Sequence, residues 1–192
     1  VICAALVLAA GRAQRFGSDK RLARLPSGHT LLATALAHAF DHFAEVHVVL
    51  RPGDDAQHLG IDPRAHIVRA EQAALGMGAS LAAGVTALLQ TQAQAVAVLL
   101  ADMPWIAPGS LQALCRQASA AHIVLPQYQG QRGHPVIFGR AFWPALAQLQ
   151  GDQGGRQVML DNPHACITVA VDDAGVVLDV DVPQALGLPM GH

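Results

Sequence analysis

Charge and aromatic surface are what this chain has least of. Of its 192 residues only 14% are charged and 4% aromatic, and the formal net charge is −2. A protein that grips nucleic acid by bulk positive charge is excluded by that balance. Cysteine is sparse too: Cys3, Cys115 and Cys166 stand far apart, without the paired spacing of a zinc or redox motif. They read as small buried hydrophobes of a cytoplasmic protein. Ten histidines are present, but none fall into a His-Glu-x-x-His pattern. The longest apolar run at the start, Ile2 to Ala10, is too short for a bilayer span, so a membrane partner is not expected. Neither nucleotide fingerprint occurs: no Gly-x-Gly-x-x-Gly follows the first apolar run, and no Gly-Lys-Ser/Thr follows Gly11 at P-loop spacing.

What remains is rich in apolar residues, at 52%, enough for an ordered core and too much for long disordered tracts. Short apolar runs alternate with helical patterns. Strands are expected at Ile2–Ala9, Glu45–Leu50, His66–Arg69, Ala95–Leu100, His122–Pro126, Pro135–Phe138, Cys166–Val171 and Val176–Asp179, the last two joined by a turn at Asp172–Gly175. Helices are expected over Thr30–Phe43, with Leu32, Leu36, Ala39 and Phe43 on one stripe, over Ala79–Leu89, and over Leu111–Ser119, capped by Ser110 after Pro108. Many strands are apolar at nearly every position, as strands covered on both faces are. The expectation is an α/β fold of three layers, Rossmann-like, with a mostly parallel sheet between helices. One domain is expected over residues 1–187, followed by a short tail at 188–192.

The stretch Ala10-Gly11-Arg12-Ala13-Gln14-Arg15-Phe16-Gly17-Ser18-Asp19-Lys20 follows the first strand directly. Small residues let backbone N–H groups approach an anion, and Arg12, Arg15 and Lys20 would neutralise it; an exposed basic loop is the plainer alternative. Asp102, at the end of the run Ala95–Leu100 and before Pro104, is the carboxylate type and position that suits Mg²⁺, unless it only caps the next helix. Asp179 and Asp181 follow another apolar run and are open to the same two readings. Gly76, Met77 and Ser80 lie where backbone N–H groups at a helix start would meet a base edge or ribose, with Glu71 and Gln72 before them. Arg132, His134 and Arg156 are loop cations and donors, or surface charges.

Six of these segments, in this order, resemble the MobA-like nucleotidyltransferases. Leu8, Ala9, Ala10, Gly11, Arg15, Gly17 and Lys20 match the family's first motif, with Ala13 and Phe16 where Ser and Met are usual. Gly76-Met77-Gly78-Ala79-Ser80-Leu81 is similar to its Gly-Met-Ser-x-Ser-Leu segment, and Ala101-Asp102-Met103-Pro104 to its Gly-Asp-x-Pro. Arg132-Gly133-His134-Pro135 matches Arg-Gly-His-Pro, and Gly151–Arg156 resembles Gly-Asp-x-Gly-Ala-Arg. Asp179-Val180-Asp181-Val182-Pro183 keeps both acids and the Pro of Asp-Ile-Asp-Thr-Pro.

The resemblance is nearest to the molybdenum cofactor cytidylyltransferases, on Ala10 and on Arg132–Pro135. It implies the nucleotide-diphospho-sugar transferase type of fold and a cytoplasmic enzyme. The implied reaction moves CMP from CTP to the phosphate of a molybdenum-loaded pterin and releases pyrophosphate. Leu8, Ala9, Ala10, Gly11, Arg12, Lys20, Gln72, Gly76, Met77 and Ser80 would bind nucleotide, and Arg15, Lys20 and Asp102 would be catalytic. Asp102 and Asp181 would hold Mg²⁺, with Asp179 as alternate to Asp181. Arg132, His134 and Arg156 would bind the acceptor, and a molybdenum hydroxylase apoenzyme would be the receiving partner. Two alternatives stand beside it: a transferase of the same fold with another base or phosphorylated acceptor, and a pterin-cofactor chaperone for a molybdenum hydroxylase.

Overall fold

A computed structural model of the protein describes residues 1–12 and 16–187. Ala13 and Arg15 of the first motif, and the expected tail, lie outside the described residues. Eight strands form one sheet, β1 Cys3–Leu8, β2 Val46–Leu50, β3 His66–Arg69, β4 Ala95–Leu100, β5 Ile123–Tyr128, β6 Gln131–Arg132, β7 Val136–Gly139 and β8 Cys166–Ala170. The order is β3-β2-β1-β4-β7-β5-β6, with β8 also paired to β5. The first four strands are parallel, and β7 runs against both β4 and β5. The sheet is therefore mostly parallel, with one antiparallel excursion at the hairpin-like stretch after β5.

The layers follow from the period-two alternation of side chains along a strand. On β1, Ala5 and Val7 face a cluster with Leu32 and Leu36 of helix α1 (Leu31–His42) and Leu111 and Leu114 of α3 (Pro108–Gln117). Ala4, Leu6 and Leu8 face the other way, onto Leu81 and Val85 of α2 (Met77–Leu88) and Trp143 and Leu146 of α4 (Trp143–Ala147). Val158 of α5 (Arg156–Asp161) completes that second face. No helix among the described residues is long and apolar enough to cross a membrane. Burial of this kind is worth about 25 cal/mol per Å² of apolar surface, so strands apolar at every position are required between two helical layers.

Two local expectations are corrected. Val176–Asp179 is not a strand: Ala174–Val177 forms a 3-10 turn, and the chain then crosses the carboxyl ends of the strands, where Val180 N–H donates to the Asp102 carbonyl at 2.8 Å. Backbone pairing is already taken up there, because Val176 C=O accepts from the His134 N–H at 2.8 Å. Ser110 lies inside α3 rather than at its cap. The cap comes from a distant carboxylate: Asp173 Oδ2 accepts from Ala107 N–H at 2.8 Å and from Ser110 Oγ at 2.7 Å. Its other oxygen accepts from Gly175 N–H at 2.9 Å, so one side chain ties the C-terminal segment to the helix that follows Asp102.

Removal of that tie by Asp173→Ala leaves the start of α3 uncapped, at a cost of about 1–2 kcal/mol. A thermal melt should show Tm lowered by roughly 2–4 °C per kcal/mol. An unchanged melt would show that the carboxylate carries no cap.

Candidate active site

The carboxyl ends of β1, β2 and β4 open into a cleft of about 1090 Å³. Its two walls come from opposite layers. The loop after β1 and the 3-10 turn Lys20–Leu22 lead into α1 on one side, and the segment Ala73–Ser80 leads into α2 on the other. Leu8, Ala10, Gly11, Arg12, Lys20, Gly76, Met77, Ser80 and Asp102 line it together.

Arg21, 6% exposed, organises the first wall. Its guanidinium donates two parallel hydrogen bonds to Asp19, Nε to Oδ1 and Nη2 to Oδ2, both at 2.9 Å. A second fork reaches Asp54, at 2.5 and 2.9 Å, and Nη1 also donates to the Ala9 carbonyl at 2.9 Å. Arg51, at the end of β2, donates Nε to the Ala10 carbonyl at 3.2 Å and Nη2 to the Gly11 carbonyl. Three successive carbonyls are thus held on the arginine side. In a trans peptide the next N–H points the opposite way, so those of Ala10, Gly11 and Arg12 are turned from the guanidinium groups. Burial opposes the charge of Arg21, yet Asp54 and Asp19 more than offset it and its pKa is raised. The Arg21 hydrogen bonds hold Asp19 below the usual carboxylate range. Burial pushes Asp54 up, but Arg21 and the Arg51 N–H bring it down on balance.

Across the cleft floor, Lys20 Nζ donates to Asp102 Oδ2 at 3.0 Å and to the Val180 carbonyl at 2.9 Å. Residues separated by 82 and 160 positions meet there. An ammonium has three N–H donors, so one is left for an incoming oxygen. Asp102 keeps a second carboxylate oxygen on a partly exposed side chain. His134 is close enough to Asp102 and Asp179 for both acids to raise its pKa, although burial outweighs them and lowers it, leaving a neutral ring at pH 7. Its Nδ1 is buried without a hydrogen-bond partner among the described residues. Gly133 lets this segment pass under the C-terminal turn, since a Cβ there would overlap the Val176 carbonyl.

Other expected site residues fall elsewhere. Ala9 is buried and contributes its carbonyl to Arg21 rather than lining the cleft. Gln72 is exposed beyond the 3-10 turn Ala73–Leu75, and it is that turn which faces the cleft. Asp181 is exposed two residues past Asp179 and is not on the cleft wall. Arg132 on β6 and Arg156 on α5 are exposed and outside it as well. Backbone N–H groups at this helix start were expected to meet a ligand; those of Gly78 and Ala79 instead donate to the Gly151 carbonyl at 2.8 and 3.3 Å. Sequence reasoning missed Arg51 and Asp152, both on the cleft wall. Each follows a recognisable signal, a charged residue just after a strand and an acid in a Gly-flanked loop.

Metal can be tested against the donor set. No group of three or more His, Cys, Asp or Glu among the described residues forms a cage. One half-open carboxylate at Asp102 fits an ion that takes most of its oxygens from phosphate and water, which is the habit of Mg²⁺.

Over residues 5–166 the chain matches the MobA-like NTP transferase domain. It is 28% identical over 186 residues to the purine catabolism protein PucB of Bacillus subtilis (strain 168), covering 92% of this chain and 90% of that one. With a probable molybdenum cofactor guanylyltransferase of Chloroflexus aggregans it shares 36% identity over 123 residues, 63% of this chain and 56% of the other. Among solved structures, Rv0371c from Mycobacterium tuberculosis H37Rv is similar at TM-score 0.82 and 28% identity, over 96% of this chain and 94% of that one. Its complex with manganese is similar at TM-score 0.75 and 25% identity, over 98% and 94%.

Arg21→Gln strands two carboxylates that keep only limited access to water, and should cost about 3–5 kcal/mol, nearer the lower figure because Asp19 is partly hydrated. The pH dependence identifies the cause. Both acids are depressed, so their contribution is complete above the ordinary carboxylate pKa of about 4 and disappears as pH falls below it. Urea melts of the wild type should therefore lose stability steeply below about pH 4, and those of the variant should be flatter there. Parallel curves would remove the two acids from the account.

Proposed function

The chain belongs to the MobA-like NTP transferase family, and on that footing we propose that it moves CMP from CTP to the terminal phosphate of a molybdenum-loaded pterin, releasing pyrophosphate. The observation that carries this reading is the meeting of Lys20, Asp102 and the Gly11 loop in one cleft over the strand ends. Transfer of a nucleotidyl group needs little covalent help from the protein. The attacking phosphate monoester has a second pKa of about 6 and is already an anion near neutral pH. Charge neutralisation and in-line positioning make up most of the task.

In this reading the N–H groups of Ala10, Gly11 and Arg12 cradle the triphosphate, with Arg12, Arg15 and the free N–H of Lys20 on the departing pyrophosphate. Asp102 would hold Mg²⁺, with Asp179 or Asp181 supplying a second carboxylate, and the ion would neutralise charge on the phosphate oxygens. A manganese complex of the Rv0371c protein supports divalent-ion binding in a relative. Arg132 and Arg156 would meet the acceptor's phosphate, with neutral His134 as a hydrogen-bonding partner. A molybdenum hydroxylase apoenzyme in the cytoplasm would take the product. The likeness to a probable molybdenum cofactor guanylyltransferase favours GTP as the second reading.

Pyrophosphate release with molybdenum-loaded pterin and Mg²⁺ should be fast with CTP and slow with GTP, UTP and ATP. Release with GTP alone would keep the transfer and replace the base; binding of pterin with no release from any nucleotide would favour a carrier. Asp102→Asn should lower kcat about 100-fold or more, with the melting temperature nearly unchanged. Full activity in that variant would remove Asp102 from the chemistry.

A further inference from the structure

The wall opposite the cations carries an unassigned acid. Asp152 lines the cleft beside Gly76, Met77 and Ser80, and its carboxylate is exposed, with no hydrogen bond or ion pair to it among the described residues. It is placed by tight packing of its loop. A Cβ on Gly76 would overlap Asp152 Oδ1 and the Gly151 carbonyl, and one on Gly78 would overlap the Gln153 carbonyl. Gly76 also has φ of 130°, a conformation that favours glycine. The loop Gly151–Gln153 therefore lies directly on the start of α2.

This packing changes what the wall offers. The N–H groups of Gly78 and Ala79 are consumed by Gly151 C=O, and beside them stand the carboxylate oxygens of Asp152, which only accept. Phosphates are repelled from this end and drawn to Arg12, Lys20 and Arg51. Flanking the acid are two apolar side chains with nothing to cover them: Leu75 is 60% exposed and Met77 49%. An apolar rim with an acceptor at its edge suits a flat heterocycle that presents an N–H donor.

We infer that Asp152 is a specificity-determining residue that accepts a hydrogen bond from the exocyclic amino group of a heteroaromatic ring seated against Leu75 and Met77. This rests on the transferase reading above and names what that site selects. Cytosine offers such an amino group where uracil offers a carbonyl oxygen, and a carboxylate facing that oxygen is repelled. Two sources share the chemistry, the base of the triphosphate and the aminopyrimidine edge of the pterin. Discrimination of this type is large, because a polar site left facing the wrong partner loses its hydrogen bond.

Calorimetric titration of wild type and Asp152→Asn with Mg·CTP, Mg·UTP and pterin, together with acceptor KM, separates the possibilities. If the base is read, the variant should bind CTP at least tenfold more weakly and UTP no worse. If the pterin is read, CTP affinity should hold while pterin binding weakens and acceptor KM rises at least tenfold. Asp152→Glu should recover part of either loss. Equal weakening of CTP and UTP with pterin unaffected, or no change anywhere, would overturn the assignment. A wild type that binds neither nucleotide nor pterin would overturn this and the transferase reading together, whereas normal turnover with an indifferent Asp152 overturns this one alone.

Discussion

The buried guanidinium of Arg21 is the constraint on which the site is built. Two carboxylates and a backbone carbonyl occupy its donors, so it is fully compensated despite being 6% exposed. Because Asp19 belongs to the turn that carries Lys20, and Asp54 follows β2, one ion cluster fixes the ends of two strands and the first cationic side chain relative to each other. Asp54 also accepts from the Arg51 N–H at 2.8 Å, which places Arg51 to hold the next two carbonyls. Removing water from so many charges is expensive, and the pairing is close to complete for that reason.

The C-terminal segment closes the other side. Val180 is fully buried in a small cluster with Phe16, Leu25, Leu31 and Trp105, away from the two main cores. That burial fixes the Val180 carbonyl as a partner for Lys20 and its N–H as a donor to the Asp102 backbone. Apolar packing here sets the position of a charged pair.

Much of this was legible in order along the chain. β1 and β4 are continuous apolar runs, as strands covered on both faces are. Lys20 and Asp102 were recognisable because each follows such a run, and carboxyl ends of parallel strands converge. What sequence could not supply was anything set by remote contact. Ser110 sits at a plausible cap position, but the cap is Asp173, 63 residues away. Val176–Asp179 opens on an apolar run as a strand would, yet the bonds to His134 and Asp102 draw it across the sheet's end instead. The N–H groups of Gly78 and Ala79 looked free because nothing local reveals that Gly151 takes them.

The pairing of Lys20 with Asp102 uses only part of what each group has to offer. One Nζ–H and one carboxylate oxygen stay open next to each other on the cleft floor. A donor and an acceptor set side by side make a two-point contact, which fixes the direction of whatever touches both as well as its position.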